Sequence, residues 1–375
     1  MPSNIPFYGG LDENDRTWLL RDVQNAYVKA AAAASAATVD DEDDAIPAPP
    51  ATLEAIEIPE FQDLIGIDPC VYRQIQAALR AGKQHLMFYG PPGTGKTSLA
   101  RNIAATLHAT WRLITGSADW TSQDVIGGYQ PIGDGKIAFI PGVLLRDFDR
   151  PLIIDELNRC DIDKVIGPLF TVLAGHATTL PYRVDVTNPA SPQYVILPQS
   201  KPESGAHEFA PTTAWRIIAT INSIDKASLY QMSYALTRRF AWIYVDAPKD
   251  LDGFLLEFLK RKDLLKGEPA ENSKVLLAEI WRVVNEVRVV GAAPFIDLIK
   301  TAIAINGDLD FLVAPSTEIA SIYLDGFFMY LLPMLDGILR QDGEKMALKI
   351  AAVLRLPENH SLSLALKERL MSMAV

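Results

Sequence analysis

Short apolar runs alternate with helical patterns along most of the chain from residue 61 onward. Five of these runs are rich in isoleucine, leucine, valine or aromatic residues and lack polar alternation, which is typical of strands covered on both faces. They span residues 85–89, 111–114, 151–156, 216–221 and 242–246. Because helical patterns separate the runs, the sequence predicts an α/β fold with a five-stranded parallel sheet.

Two insertions interrupt this alternation. Residues 127–142 place Gly-Asp-Gly between two strand-like runs, which predicts a β-hairpin. Residues 178–212 form a longer irregular segment, in which we expect a second hairpin.

The two ends of the chain have different patterns. From residue 249 the apolar positions follow helical spacing, in segments 251–262, 273–290, 294–305 and 317–340. Residues 11–37 are typical of a helix, and residues 38–60 are acidic and proline-rich, as in exposed linkers. We therefore predict an N-terminal helix and linker at 1–60, an α/β core at 61–248 and an α-helical lid at 249–375.

Composition restricts the class of protein. The net charge is −11, and residues 1–60 hold twelve acids against three bases, so the rest of the chain is nearly neutral. This charge argues against nucleic-acid binding through the overall field and leaves only a local basic patch in a pore, or a partner, for that role. No apolar run is long enough to span a membrane. The only cysteines, Cys70 and Cys160, lie far apart, so we expect a reduced, cytoplasmic protein.

The stretch GPPGTGKTS matches G-x-x-x-x-G-K-[ST] and lies between a predicted strand and a predicted helix. In that context backbone N–H groups wrap nucleotide phosphates, and the helix N-terminus adds its dipole. Lys96 is expected to reach the β- and γ-phosphates, and Thr97 to ligate Mg²⁺. The predicted nucleotide-binding residues are Gly90, Pro91, Pro92, Gly93, Thr94, Gly95, Lys96, Thr97 and Ser98.

Three polar residues stand at the ends of later strands. Asp155 and Glu156 close the run PLIIDE, and Asn222 follows RIIATI. Strand ends of this kind often simply meet solvent, and an asparagine there often begins a turn. Downstream of a phosphate loop, however, we expect Asp155 to hold Mg²⁺, Glu156 to polarise the attacking water and Asn222 to orient that water.

Two adjacent arginines, Arg238 and Arg239, end a predicted helix just before the last strand. Guanidinium groups at such a junction are expected to hold a carboxylate or a phosphate. One alternative is a salt bridge within the chain, to Asp246 or Glu156. The other is an anion that belongs to a neighbouring molecule.

The motifs GPPGTGKTS, LIIDELNR, ATINS and ALTRRF stand in the order and spacing of the AAA+ ATPases, which the chain resembles from residue 87 to 246. This stretch is similar to the dynein-related branch, which includes MoxR-type chaperone ATPases and the McrB restriction motor. The resemblance implies a P-loop core with β-hairpin insertions, a helical lid, ATP or GTP as substrate with Mg²⁺, and a ring of identical subunits, expected to be a hexamer.

The resemblance also implies roles for the arginines. One of Arg238 and Arg239 would be the finger that reaches the γ-phosphate held by the adjacent subunit, and the other its companion sensor. Many lids of the family add a further arginine at a glycine-proline turn, but the corresponding stretch VRVVGAAPF has none there, and only Arg288 lies upstream.

Three functions are compatible with these features. The favoured one is the motor subunit of a McrB-like restriction or antiphage system that acts with a nuclease or activator. The second is a MoxR-like chaperone paired with a von Willebrand A-domain protein, and the third is an assembly scaffold with little turnover. The short N-terminal segment predicts that another chain recognises the target.

Client contacts are expected at the hairpin tips. Tyr129, Lys136, Ile137 and Phe139 could line a central pore, although Ile137 and Phe139 could equally pack against the sheet. The five histidines are scattered and lack metal-binding spacing.

Overall fold

The computed structural model of the chain describes residues 57–198, 205, 207–222, 234–270 and 273–375. They belong to one compact unit that spans residues 52–375. The helix predicted at 11–37 and most of the linker predicted at 38–60 lie outside the described residues. Within the described ranges, no helix combines the length and hydrophobicity needed to cross a bilayer.

The central sheet has five strands, all parallel, which confirms the prediction. The strands are β1 (His85–Gly90), β2 (Arg112–Thr115), β5 (Pro151–Asp155), β9 (Arg216–Asn222) and β10 (Phe240–Tyr244). Their spatial order is β10-β1-β9-β5-β2. The last strand begins two residues before the predicted run, because Phe240 already pairs with His85.

Helices cover both faces of the sheet. Alternate residues of the buried strands enter two different cores, which explains why the strand sequences are apolar throughout. One core packs under the helices α1 (Pro69–Arg80) and α2 (Lys96–Leu107). The other face is covered by shorter helices, namely α3 (Ser122–Val125), α4 (Val143–Arg146), α5 (Ile162–Ile166) and α6 (Phe170–Leu173). A further short helix, α7 (Tyr234–Arg239), leads directly into β10.

The two insertions form separate small sheets. The predicted hairpin consists of β3 (Gly127–Gly133) and β4 (Lys136–Pro141), and Asp134 and Gly135 between them have positive φ, as tight hairpin turns require. The second insertion holds β6 (Thr178–Arg183), β7 (Gln193–Ile196) and β8 (Glu208–Phe209), with β6 antiparallel and β8 parallel to β7. The predicted second hairpin is therefore extended by one short strand.

Aromatic side chains join the two insertions. Phe139 is only 8% exposed and stacks on Tyr194 with ring centroids 4.5 Å apart. The hydroxyl of Tyr129 donates to the carbonyl oxygen of Arg183 at 3.0 Å. Ile137, in contrast, is 54% exposed. Tyr129 and Phe139 therefore connect the two insertions, whereas Ile137 faces solvent beside the hairpin turn.

The region after β10 is helical and has its own apolar core. Its helices are α8 (Leu251–Arg261), α9 (Leu276–Val287), α10 (Ala293–Ile305), α11 (Thr317–Tyr330), α12 (Arg340–Val353) and α13 (Ser361–Ser372). The single helical segment predicted at 317–340 is wrong in its second half. Because Pro333 cannot continue an α-helix, α11 ends at Tyr330 and a short 3₁₀ turn follows.

Candidate nucleotide site

The phosphate loop joins β1 to α2 in a conformation that needs glycine. Gly90 has φ of 151°, and a Cβ there would lie 2.1 Å from the carbonyl oxygen of Val245. Gly95 has φ of 85° and is the N-cap of α2. The chain therefore turns sharply from a central strand into a helix, whose first N–H groups have no acceptor within the helix and can bind an anion.

Lys96, the first residue of α2, lies inside this loop and is 6% exposed. Its Nζ donates to the carbonyl oxygens of Gly90 at 3.1 Å and Pro91 at 2.6 Å. Burial lowers the pKa of Lys96 to about 8, although Asp155 and Glu156 favour its charged form. A phosphate oxygen is a stronger partner than these carbonyls, because both groups of the hydrogen bond then carry charge.

A hydroxyl–carboxylate network connects the loop with the carboxyl ends of β5 and β9. Thr97 Oγ1 donates to Asp155 Oδ1 at 2.7 Å, and Thr220 Oγ1 donates to the same oxygen at 2.6 Å. Thr220 Oγ1 also accepts the backbone N–H of Glu156 at 3.0 Å. Thr220 therefore fixes the relative positions of the two acidic residues.

Glu156 is held on both sides. Its φ of 51° is uncommon for a residue other than glycine and is a kind of strain that concentrates at functional sites. Asn222 Nδ2 donates to Oε1 at 3.3 Å, and Arg159 Nε forms an ion pair with Oε2. The structure thus places Asn222 beside Glu156 and adds Arg159, which the sequence reasoning missed.

Glu156 and Asn222, but not Arg159, line a cavity of about 630 Å³. The phosphate loop, Asp155, Glu156 and Asn222 form its polar end. Its other walls are largely apolar and come from the segment before α1 and from α8 and α10, with side chains such as Leu64, Phe254 and Ile296. The cavity therefore offers a phosphate end and an apolar end, the arrangement that a nucleotide needs.

Backbone hydrogen bonds attach the helical region to the phosphate loop. The N–H of Gly291 donates to the carbonyl oxygen of Pro92 at 2.9 Å, and that of Ala293 to Gly93 at 3.1 Å. A Cβ at Gly291 would lie 2.2 Å from the carbonyl carbon of Gly93, so the position requires glycine. We refer to these two contacts as the 291–293 clasp.

The 291–293 clasp lies in the stretch VRVVGAAPF, where many lids of the family have an arginine. Arg288 does not line the cavity, because it donates to the carbonyl oxygens of Met334 and Asp336 within the helical region. Arg261, at the end of α8, does line the cavity, and it binds the carboxylate of Glu257 and the carbonyl oxygen of Gln62.

Arg238 and Arg239 lie at the opposite end of the sheet. They end α7 and precede Phe240, the first residue of β10, whereas the phosphate loop follows the carboxyl end of β1. Among the residues that the structure describes, neither arginine forms a salt bridge. The alternatives of a bridge to Asp246 or to Glu156 therefore find no support, and Glu156 is instead paired with Arg159.

The donor set near the loop fits Mg²⁺. Thr97 and Asp155 supply a hydroxyl and a carboxylate oxygen 2.7 Å apart, and hard oxygens are the ligands that Mg²⁺ prefers. Mg²⁺ usually takes only one or two protein ligands and completes its shell with phosphates and water. Accordingly, the described part of the chain has no cluster of three acidic, histidine or cysteine side chains that would form an all-protein metal cage.

Residues 85–240 match the family model of the AAA domain, dynein-related subfamily. This region of the chain is an AAA+ ATPase domain of the dynein-related branch. It is accordingly a P-loop NTP hydrolase, and the described fold has the α/β core and helical region that were predicted for this AAA+ ATPase.

The similarity to known proteins extends beyond this domain. The chain is 28% identical over 193 residues to the type IV methyl-directed restriction enzyme EcoKMcrB subunit of Escherichia coli, a match that covers 48% of this chain and 39% of that protein. It is 26% identical over 231 residues to an uncharacterised protein of Staphylococcus saprophyticus, covering 60% of this chain and 75% of that protein. Among solved structures, the Thermotoga maritima RuvB Holliday junction branch migration motor matches 80% of this chain and 86% of that chain, at 16% identity and a TM-score of 0.43.

Four residues of the site were not predicted, and two of them had a usable signal. Thr220 stands two positions before Asn222 and so lies on the same face of β9. Arg159 follows Glu156 by three positions, the spacing of neighbours on one helical turn. Arg261 reaches the cavity, and Gly291 the phosphate loop, only through the packing of the helical region, which no local pattern reveals.

Proposed function

We propose that this AAA+ ATPase forms a ring in which each nucleotide site is completed by the next copy, and that the ring couples ATP or GTP hydrolysis to the remodelling or translocation of a macromolecule. The observation that carries the proposal is the separation of two parts of the catalytic machinery. Lys96, Asp155 and Glu156 surround the cavity, while Arg238 and Arg239 lie at the other end of the same sheet.

The distance within one copy supports a contribution from a neighbour. A strand of six residues such as β1 is about 20 Å long, too far for an arginine at one end to reach a phosphate at the other. Phosphoryl transfer spreads negative charge over the transferred oxygens, and a guanidinium placed there raises the rate about 10³- to 10⁵-fold. A guanidinium supplied by a second copy makes hydrolysis depend on assembly.

Roles for the cavity residues follow from their contacts. Lys96 holds the β- and γ-phosphates, Thr97 and Asp155 hold Mg²⁺, which would neutralise phosphate charge, and Glu156 activates a water that Asn222 orients. Because Asn222 donates to Glu156, the carboxylate is already oriented before the water arrives.

The biological role that we propose is that of a motor subunit in a McrB-like restriction or antiphage system. The similarity to a restriction-enzyme subunit supports this role, and the chain spans 39% of the length of that protein. In such a system we assign cleavage to a partner nuclease, which the similarity to a subunit of a restriction enzyme supports.

Mixed assemblies test the composite site. The variant Lys96→Ala lacks the phosphate-binding lysine but keeps its arginines, and Arg238→Ala or Arg239→Ala has the reverse defect. Each variant alone should be inactive, and a mixture of Lys96→Ala with an arginine variant should regain turnover, because some interfaces then combine an intact loop with an intact arginine. If neither mixture exceeds its parents while both variants assemble, the arginines do not act across an interface.

A further inference from the structure

Three residues form a row of donors along the amino-terminal edge of the central sheet. In the strand register, Phe240 lies beside His85, and Leu86 lies beside Ile218. Extending this register toward the amino ends places Gln84 between Arg239 on one side and Arg216 on the other, where Arg216 already pairs with Pro151 of β5. We call these three residues the edge row. Neighbouring strands lie about 4.8 Å apart, so the two arginines are roughly 10 Å apart across Gln84.

Arg216 is a buried cation that pairs with no acidic residue in the described part of the chain. It is 8% exposed, its Nε is buried without a hydrogen-bond partner, and a guanidinium N–H makes only a 3.5 Å contact with the carbonyl oxygen of Thr213. Burial lowers the pKa of Arg216, and none of the acidic residues that the structure describes opposes that shift. Because removing a charge from water is costly unless the charge is paired, this guanidinium needs an anionic partner, and the described residues do not supply one.

Arg239 is only half-buried, but it has a similar deficit at one nitrogen. Its Nε is also buried without a partner. The nearby acidic residues of the β5 end, Asp147 and Asp149, are occupied by Arg112 and Arg150. Across the described ranges, no carboxylate forms a salt bridge with either arginine of the edge row.

A fourth cation adds to this charge. Lys83, just before Gln84, donates from Nζ to the carbonyl oxygen of Arg238 at 2.9 Å, which brings its ammonium to the same edge. Gln84 itself is exposed and can donate from its amide. The edge row is thus rich in hydrogen-bond donors and carries excess positive charge, and its central residue, Gln84, is exposed.

We infer that the edge row binds a phosphoryl group, namely that of the nucleotide held in the cavity of a second copy, with Arg216 and Gln84 acting beside Arg239. The inference rests on the proposed composite site and extends it to two residues outside the arginine pair. Two planar guanidinium groups flanking an amide can share the oxygens of a phosphoryl group through several charge-assisted hydrogen bonds. The chain's own nucleotide is excluded as the source, because the cavity lies at the opposite end of the strands.

The variant Gln84→Glu tests this inference most sharply. It places a carboxylate between the two unpaired guanidinium groups, at an exposed position where the fold tolerates the change. We expect the midpoint of thermal unfolding of the isolated subunit to rise by a few degrees. We also expect turnover to fall at least about tenfold, the equivalent of ~1.4 kcal/mol in the transition state, while nucleotide binding at the distant cavity is retained.

Two comparisons make the result specific. Gln341→Glu adds the same charge at an exposed position of α12 and should leave turnover unchanged. A mixture of Gln84→Glu with Lys96→Ala should regain turnover, because the second variant supplies an intact edge row. Unchanged turnover in Gln84→Glu, or a loss that Lys96→Ala cannot complement, would overturn the inference.

Arg216→Ala, mixed with Lys96→Ala, provides an independent arm. Regained turnover shows that Arg216 acts on the neighbour's nucleotide, whereas failure to regain it, with folding and nucleotide binding intact, shows a role within its own copy and refutes the inference. The mixtures of Lys96→Ala with Arg238→Ala and with Arg239→Ala separate the two levels. If one of those mixtures is active and the Arg216 mixture is not, the composite site stands and the edge row fails.

Discussion

At the scale of single residues, the candidate site is defined by how Glu156 is held. Its carboxylate accepts from Asn222 on one oxygen and pairs with Arg159 on the other, and its backbone N–H is fixed by Thr220. A side chain restrained in this way cannot turn away from the cavity without breaking several contacts. Such orientation is what a general base needs in order to act on a single water.

The first prediction concerns that base. Glu156→Gln keeps the size of the side chain and an oxygen for Asn222 but removes the proton acceptor. We expect turnover to fall about 10²- to 10⁴-fold while affinity for the triphosphate is retained. Single-turnover hydrolysis and equilibrium binding of a fluorescent nucleotide measure the two quantities. Turnover within a few-fold of the parent would remove Glu156 from this role.

The sequence predicts a site residue when the position of that residue in a strand reveals its role. Asp155, Glu156 and Asn222 were predictable because each follows an apolar run whose carboxyl end must face the ligand. Thr220 was not predicted: its place two positions before Asn222 puts it on the same face of β9, but the apolar strand does not indicate that its hydroxyl bonds two other segments.

At the scale of elements, the helical region and the phosphate loop are joined by backbone atoms. The 291–293 clasp uses N–H groups that precede or begin α10, so it needs close approach and not a particular polar side chain. A nucleotide that rearranges the loop must therefore move α10 as well. This contact gives the helical region a direct way to respond to what the cavity holds.

The second prediction tests the clasp. Gly291→Ala introduces a methyl group into the space occupied by Gly93, so the loop and α10 must separate. We expect affinity for the triphosphate to fall about tenfold, or ~1.4 kcal/mol, and the unfolding midpoint to decrease. Gly307→Ala is the matched control, since its added Cβ has no atom nearer than 4.0 Å. Equal affinities for the two variants would show that the clasp is not needed for binding.

The third prediction concerns the start of β1. His85 is fully buried, and its Nδ1 accepts the backbone N–H of Ile217 at 3.0 Å, so it must be neutral in the folded protein. Burial lowers the pKa of His85 from 6.5 to about 3, with smaller contributions from Arg216 and Lys83. The unfolded chain therefore binds a proton below pH 6.5 that the folded chain does not, and stability is lost as the pH falls from 6.5 toward 3.

The size of the effect is measurable. Between pH 6.5 and pH 5 the free energy of unfolding should decrease by about 2 kcal/mol from this group alone. His85→Asn can keep an acceptor for Ile217 without a titratable ring, so its stability should be lower overall and should change less over that interval. Denaturant unfolding at the two pH values checks this. An equal pH dependence in the variant and its parent would assign the effect to other groups.

Element boundaries show where sequence reasoning fails. The five strands were found because their apolar composition reflects burial on both faces. The start of β10 was misplaced by two residues, because Phe240 belongs to the strand through its pairing with His85 and not through its own local sequence. The helical pattern at 317–340 extended past Pro333 because apolar periodicity continues through the 3₁₀ turn that replaces the helix.

At the scale of the whole molecule, the two ends of the central sheet have opposite characters. The carboxyl end carries the phosphate loop and two acidic residues, and the amino end carries Arg238 and the edge row. At its amino edge, one copy therefore presents guanidinium groups that pair with no carboxylate of the described residues. Arg238 and Arg239 of the same copy lie too far from the cavity to reach a nucleotide there. If the amino-terminal edge of one copy packed against the cavity of the next, the edge row would meet a phosphate and the nucleotide would meet an arginine.

The dependence of specific turnover on protein concentration tests this account most directly. If each site is completed by a second copy, turnover per subunit at saturating nucleotide should fall steeply on dilution, in parallel with the loss of assemblies measured by mass photometry. Lys96→Ala subunits, added to the diluted parent, should restore part of the lost rate, because they supply arginines without hydrolysing nucleotide. Turnover per subunit that stays constant down to concentrations at which only monomers are present would contradict the account.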